Sequence, residues 1–174
     1  MTSVIETERL TLRELTLDDV DAMFAIIGDA ETMKYYPQRF GRDDAEDWVK
    51  RNLERYRRDG FSLYAVSLKT NDSDVIGDCG LIRQEVEGES LIEVAYHLRR
   101  DCWGRGYATE AARACTRYAF EQLDAPKVVS LIRPENLPSR RVAERNGMTV
   151  ERQVTVFGAP HLLYAMRREN YGQA

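Results

Sequence analysis

The sequence predicts an α/β fold: one mixed, mostly antiparallel sheet with a central parallel strand pair and helices on both faces. Three observations carry this reading. A strand, a long helix and a second strand follow one another between Leu91 and Ile132. A crossover of that kind joins parallel neighbours with a right-handed sense. Strand-like runs separated by short polar or glycine-bearing turns stand on either side of it, and hairpins make antiparallel neighbours. Finally, 43% of the 174 residues are apolar and 31% charged. A chain of that size and composition builds one core, so we expect a single domain over residues 1–174 with its core at about 7–168.

The elements follow in order from periodicity and punctuation. Glu8 to Leu15 reads as the first strand, with Leu10 and Leu12 facing inward and Leu15 a further candidate. Thr16 is placed to cap a helix, with Asp19 at the third position. Val20, Met23, Phe24 and Ile27 continue it at helical spacing until Gly28. A helical turn over Glu31 to Tyr35 stops before Pro37. Arg42 to Arg58 is a clear helix with Ala45, Trp48, Val49, Asn52, Leu53 and Tyr56 on one face. Its charges fill the other face as a solvated surface with i,i+4 pairs. After the break at Gly60 come a strand from Phe61 to Leu68, a turn from Asn71 to Asp74, and a strand from Val75 to Ile82. A hairpin turn between Glu85 and Ser90 leads into the strand Leu91 to Leu98. The loop Arg99 to Gly106 opens a helix from Tyr107 to Leu123, whose stripe of Ala108, Ala111, Ala112, Cys115, Tyr118, Ala119 and Leu123 is small enough for close packing on a sheet. The strand Lys127 to Ile132 and a helix from Leu137 to Asn146, capped by Gly147, come next. Two closing strands, Thr149 to Phe157 and Leu162 to Arg167, meet at Gly158-Ala159-Pro160.

Composition removes several function classes. Lys and Arg total 25 against 29 Asp and Glu, a net charge of −4, so the chain is no broadly basic nucleic-acid binder. No apolar run approaches the ~20 residues needed to cross a bilayer. Met1 to Leu10 carries Glu6 and Glu8 without an apolar signal core, so no export signal is read. Cys79, Cys102 and Cys115 are odd in number and widely spaced, which fits free thiols in a reducing, cytoplasmic setting. His97 and His161 by themselves make no zinc site, and no metal is expected.

The chemistry concentrates in the loop that joins a strand to a helix, Arg99 to Thr109. Gly104 and Gly106 let the backbone turn tightly so that several N–H groups point one way. The helix that follows adds unpaired N–H groups and a partial positive charge. Together these can cradle a pyrophosphate, with Arg99, Arg100 and Arg105 as counter-charges. The glycine pair alone is equally compatible with a tight turn. A dinucleotide fingerprint fits poorly, because its third position is Thr109, and a P-loop is excluded because no Gly-Lys-Ser/Thr follows.

A second motif, Asn136 to Met148, narrows the choice. With Trp103-Gly104-Arg105-Gly106-Tyr107-Ala108-Thr109-Glu110-Ala111, it resembles the GNAT superfamily of N-acetyltransferases. Its wording is most similar to the RimJ/RimL branch, which acetylates amino termini of ribosomal proteins and also includes small-molecule enzymes. The resemblance runs from Thr7 to about Arg167. It implies a central parallel pair splayed around acetyl-CoA, used as co-substrate. It implies cofactor contacts from Tyr96, Leu98, Arg99, Gly104, Arg105, Gly106, Tyr107, Ala108, Thr109 and Asn136. The pattern departs at Asp101, where Gln or Arg is common. It departs again at Ala143, where many members carry a Tyr that protonates the leaving thiolate; the RimJ/RimL branch instead has Ser at the position of Ser139.

The expected reaction is direct acetyl transfer to a primary amine in a ternary complex. Glu93 is the candidate general base, directly or through a water. The strand alternation sets Glu93 and Ala95 on one face and Val94 and Tyr96 on the other. The oxyanion donor implied by the resemblance is a backbone N–H at a bulge among Tyr96 to Leu98. Ser139 is the candidate partner of the thiolate. Tyr35, Tyr36 and Trp48 are candidates to line the acceptor side, with the acceptor loop at about Gly28 to Phe40. Cys102 lacks a partner base for a ping-pong scheme. A protein or peptide α-amine is the expected acceptor; a small-molecule acetyltransferase and a non-catalytic acetyl-CoA-binding module are the alternatives. The sequence leaves the oligomeric state open, a homodimer included.

Overall fold

The computed structural model describes residues 3–37 and 40–172. Eight strands form one sheet in the order β1-β2-β3-β4-β5-β6-β8-β7. They are β1 (Ser3–Glu6), β2 (Leu10–Glu14), β3 (Leu63–Leu68), β4 (Asn71–Val86), β5 (Glu89–Leu98), β6 (Lys127–Ile132), β7 (Thr149–Val156) and β8 (Ala159–Arg167). The helices are α1 (Val20–Ile27), α2 (Arg42–Asp59), α3 (Tyr107–Glu121) and α4 (Leu137–Arg145). Among the described residues only β5 and β6 pair in parallel, through Ile92 with Val128 and Glu93 with Val129. All other neighbours are antiparallel. Among the described residues no helix is long and apolar enough to cross a membrane.

The two faces of the sheet are covered differently. On one, Leu10, Leu12, Tyr64, Val66, Cys79, Leu81, Val94 and Val128 pack against Ala111, Ala112, Cys115, Ala119 and Phe120 of α3. The small residues of α3 bring its backbone close to the strands. On the other, α1 and α2 place Met23, Ile26, Ile27, Ala45 and Val49 over Leu15, Ala65 and Val75. A separate cluster of Val86, Leu91, Val129, Leu163 and Ala165 occupies the far end of that second face. Between the two clusters the sheet presents polar side chains, and these form the candidate site.

Several element boundaries differ from the sequence reading. β1 precedes the expected first strand; Thr7 turns the chain between β1 and β2, its hydroxyl accepting from the Leu10 N–H at 2.9 Å. The expected turn at Asn71 to Asp74 lies inside β4, because Leu68 pairs directly with Asn71 after register breaks at Ser67. The β4–β5 turn is Glu87-Gly88, with φ of 51° and 84°. The β7–β8 turn is Phe157-Gly158, with φ of 52° and 72°. Both are two-residue hairpin turns of the type whose twist matches the strands. The strands therefore run closer to the turn than composition suggested, and Ala159 and Pro160 belong to β8. Glu31 to Tyr35 forms hydrogen-bonded turns without becoming a helix; Asp29 accepts from the Thr32 N–H at 2.8 Å. Of the expected acceptor loop, Gln38 and Arg39 lie outside the described residues.

The start of α1 is fixed by a buried charge pair. The Asp19 carboxylate accepts from the Thr16 N–H at 2.8 Å. It also receives Nη1 and Nη2 of Arg13 at 2.8 and 2.7 Å. Burial opposes its ionisation, but the Arg13 guanidinium and the Thr16 donors outweigh it and hold the carboxyl below the usual carboxylate range. A carboxyl whose pKa is lowered on folding stabilises the fold above its unfolded pKa near 4, and loses that contribution as pH falls. Asp19→Asn should therefore cost about 3 kcal/mol at neutral pH, the scale of breaking a buried pair. The difference from the wild type should shrink as the pH is lowered from about 4. Urea titrations across pH measure both, and a pH-independent difference would assign the loss to packing.

Candidate active site

The site is built where β5 parts from β6. Their parallel pairing ends at Glu93 and Val129, although β5 continues to Leu98 and β6 to Ile132. The Val94 carbonyl accepts from Ser130 Oγ at 2.9 Å and so points toward β6. Strand alternation turns the N–H groups of Tyr96 and Leu98 to the same edge, while the Arg99 N–H bonds the Ile76 carbonyl at 2.8 Å on the β4 side. The pairing of β5 with β4 is unbroken from Gly77 with Leu98 to Val86 with Glu89. The bulge expected in β5 is thus absent from its β4 pairing. The parting from β6 is what turns these amides toward an open edge.

One side-chain bond spans the wedge, and a local cap fixes the helix it reaches. The Tyr96 hydroxyl donates to the Ser139 carbonyl at 3.0 Å and ties β5 to the first turn of α4. Asn136 caps that helix, its Oδ1 accepting from the Ser139 N–H at 3.2 Å. The structure therefore gives Asn136 a capping role and places Ser139, half-buried, in the first turn.

The loop after β5 ends in two glycines with positive φ, 74° at Gly104 and 82° at Gly106. A side chain at Gly104 would meet only open space, and one at Gly106 would face the Arg9 guanidinium at 3.5 Å. The first bond inside α3 runs from the Glu110 N–H to the Gly106 carbonyl at 3.0 Å. The N–H groups of Gly106, Tyr107, Ala108 and Thr109 thus have no acceptor within the helix. Free N–H donors at a helix N-terminus are the chemistry that an anion such as a diphosphate requires. Arg99 does not point there: it holds Asp74 at 2.7 Å and Asp101 at 2.8 Å. This also accounts for an acid at residue 101, which is turned outward into that ion pair. Arg105 is exposed. Sequence reasoning missed Arg9, which bonds Glu110 at 2.6 Å, donates to the Arg105 carbonyl at 3.0 Å and lies over the Tyr107 ring. It bolts the start of the sheet to the cradle. Cys102 is buried, and burial pushes its thiol up, away from nucleophilic use.

On the opposite face, Glu93 is 8% exposed. Its oxygens accept from Gln84 Nε2 at 2.9 Å and from the Leu131 N–H at 3.2 Å. Burial raises its carboxyl above the usual range, against those two hydrogen bonds. It is held by hydrogen bonds, with no ion pair among the described residues. Four residues farther along the same face, His97 meets Asp78, its cross-strand partner, through Nδ1 at 2.7 Å. The other ring nitrogen, Nε2, lies 2.6 Å from the Tyr36 hydroxyl. Trp48 Nε1 donates to the second Asp78 oxygen at 2.8 Å. Tyr36 and Trp48 were expected on the acceptor side; Tyr35 instead stacks under Lys34. Asp78 and His97 had no signal in sequence, because one carboxylate and one imidazole 19 residues apart match no spacing rule; only the β4–β5 register unites them. Among the described residues no group of His, Cys, Asp and Glu could hold a metal.

Residues 9–149 match the family model described as Acetyltransferase (GNAT) domain. The chain is 32% identical to the Bacillus subtilis protein YkkB, covering 94% of this chain and 95% of that one. It is 31% identical to YnaD of the same organism, an uncharacterised N-acetyltransferase, covering 84% and 83%. A solved acetyltransferase from Agrobacterium tumefaciens superposes with a TM-score of 0.82 at 28% identity, covering 96% and 95%.

Gly106→Val should abolish coenzyme A binding by calorimetry, and Gly106→Ala should weaken it at least tenfold by the general logic of backbone approach to an anion. The positive φ costs about 1–2 kcal/mol of stability in either variant. Gly104→Ala shares that backbone cost, so equal stability with unequal affinity isolates the cradle, and unchanged affinity in Gly106→Val would refute it.

Proposed function

The chain belongs to the GNAT acetyltransferase family and is an acetyl-CoA-dependent N-acetyltransferase; from that premise we propose that it transfers the acetyl group to an α-amine at a protein or peptide N-terminus, as the RimJ/RimL-like wording of its motifs suggests. The observation that carries the coenzyme reading is the amide cradle of Gly106 to Thr109 opening beside the parting of β5 and β6. The acceptor class rests on proton chemistry. An α-amino group has a free pKa near 8 and a lysine side chain about 10.4. The α-amine is therefore easier to present neutral at pH 7 by over two units, on the order of 3 kcal/mol.

In this reading acetyl-CoA lies with its diphosphate on the cradle and its thioester between β5 and β6. The N–H of Tyr96 or Leu98 receives the carbonyl oxygen as charge develops on it. Glu93 takes the first proton from the entering ammonium, directly or through a water. Its raised carboxyl makes it a stronger base than an exposed glutamate. Ser139 donates to the departing thiolate. Asn136 sets the helix turn that positions it.

Glu93→Gln removes a buried charge whose ionisation the fold opposes, so the melting temperature at pH 7.5 should be unchanged or higher. kcat/KM should fall, more steeply at pH 6.5 than at pH 9, where the acceptor is already neutral. A loss equal at both pH values would remove Glu93 from the deprotonation step. Ser139→Ala should lower kcat by about tenfold or more while coenzyme affinity stays within twofold, a split that marks a transition-state interaction. Equal losses would make Ser139 a binding or folding residue. A thiol-release assay over α-amino peptides, lysine-blocked peptides and free small amines tests the acceptor class; turnover only on small amines contradicts it.

A further inference from the structure

We propose that Tyr36, His97 and Asp78 form a proton relay for the acceptor amine, in which the Tyr36 hydroxyl touches the attacking nitrogen and His97 Nε2 takes up the proton. This rests on the acetyltransferase reading above and adds to it the fate of the second proton.

The geometry fixes the direction of the relay. Asp78 lies on β4 with a fully buried side chain, and it receives Trp48 Nε1 at one oxygen and His97 Nδ1 at the other. One Asp78 oxygen already accepts from the Trp48 N–H, and we assign the other as acceptor from His97 Nδ1–H. Nε2 is then the acceptor, and the Tyr36 hydroxyl donates to it at 2.6 Å. This is the arrangement of an oriented base: a third group sets the tautomer, and the base faces a hydroxyl. The Trp48 ring stands edge-on to His97 with centroids 5.2 Å apart and blocks rotation of the imidazole. Tyr36 is 42% exposed as a residue, while its hydroxyl is turned inward to His97 Nε2.

The neighbouring charges agree with relay and not with a standing phenolate. The groups facing His97 are Asp78 from β4, Tyr36 from the segment after α1, and Glu93 from β5 itself; Arg55 of α2 acts on Glu93. Burial and the carboxylates of Glu93 and Asp78 push the Tyr36 phenol well up. It can pass a proton on only if it gains one in the same event. Ala95, between Glu93 and His97 on this face, is half-buried and carries only a methyl side chain.

The step balances as follows. Glu93 removes the first proton and the neutral amine attacks the acetyl carbon. As the N–C bond forms, the nitrogen gives a second proton to the Tyr36 oxygen, which releases its own to His97 Nε2. The C–S bond breaks with its electron pair on sulfur. The thiolate takes a proton from the Ser139 hydroxyl, the proton held by the Glu93 carboxyl returns through water to the Ser139 oxygen, and the imidazolium returns its proton to solvent.

The test uses the whole protein with Tyr36→Phe, His97→Gln and Asp78→Asn. Each should leave the acetyl-CoA Kd within twofold and lower kcat by about 100-fold at pH 7.5, the scale of lost general base catalysis. The wild-type kcat should level off at alkaline pH, while that of His97→Gln keeps rising with pH and with imidazole buffer concentration, as external bases take the proton. A purely structural role would give a loss that neither pH nor buffer changes, and that result overturns the proposal. Histidine nitrogen NMR reads the relay without an acceptor: Nδ1–H at His97, with an Nε2 resonance that moves in Tyr36→Phe, supports it, and an Nε2–H tautomer overturns it. A wild type that binds acetyl-CoA yet acetylates no amine fails the acceptor reading and the relay together. An active wild type with unaffected variants fails the relay alone.

Discussion

The early end of pairing between β5 and β6 is the constraint on which the site depends. Two parallel strands in a sheet normally continue side by side, with each amide satisfied by its neighbour. Here the pairing stops after Glu93 and Val129. A buried N–H or carbonyl without a partner costs stability, so the wedge is managed residue by residue. Ser130 takes the Val94 carbonyl and the Glu93 carboxylate takes the Leu131 N–H. Trp103 bonds the Leu98 carbonyl at 2.7 Å. The N–H groups of Tyr96 and Leu98 remain directed at the opening. Tyr96 reaches across the wedge to the first turn of α4, and α3 packs its alanine face on β4 and β5.

In the proposed reading, three groups of residues are arranged around this one distortion. The loop after β5 delivers the amide cradle at the N-terminus of α3. The first turn of α4, capped by Asn136, delivers Ser139 to the other lip. The opposite face of β5 carries Glu93 and His97 two strand repeats apart, beneath the segment that bears Tyr36. Stability and function pull apart at these positions. Glu93 is a carboxylate whose burial the fold resists, and Gly104 and Gly106 hold a backbone conformation other residues rarely adopt. Such departures from local preference gather where substrates bind.

Much of the fold was legible because it is written in local patterns. The helical spacing of Ala45, Val49 and Asn52, the small stripe of α3 and the strand Lys127 to Ile132 each name their own partner surface. Gly60 and Gly147 stop their helices as expected, both with positive φ. The boundaries that shifted did so at hairpins, where a two-residue turn leaves polar residues such as Asn71 and Glu85 inside strands. β1 was missed because four residues held by pairing with β2 have no periodicity to read. The turn at Gly104 and Gly106 was legible for the same reason as the helices: its glycines and the helix start are contiguous. Asp78, His97 and Arg9 were not, since each becomes part of the site through strand register or a contact across about a hundred residues.

The most direct measurement is a crystal structure of the protein with acetyl-CoA bound. The account predicts diphosphate oxygens within hydrogen-bond reach of the amides of Gly106 to Thr109, and the thioester carbonyl facing the Tyr96 or Leu98 N–H between β5 and β6. Coenzyme density elsewhere on the surface, with that wedge closed by the protein's own side chains, would contradict it.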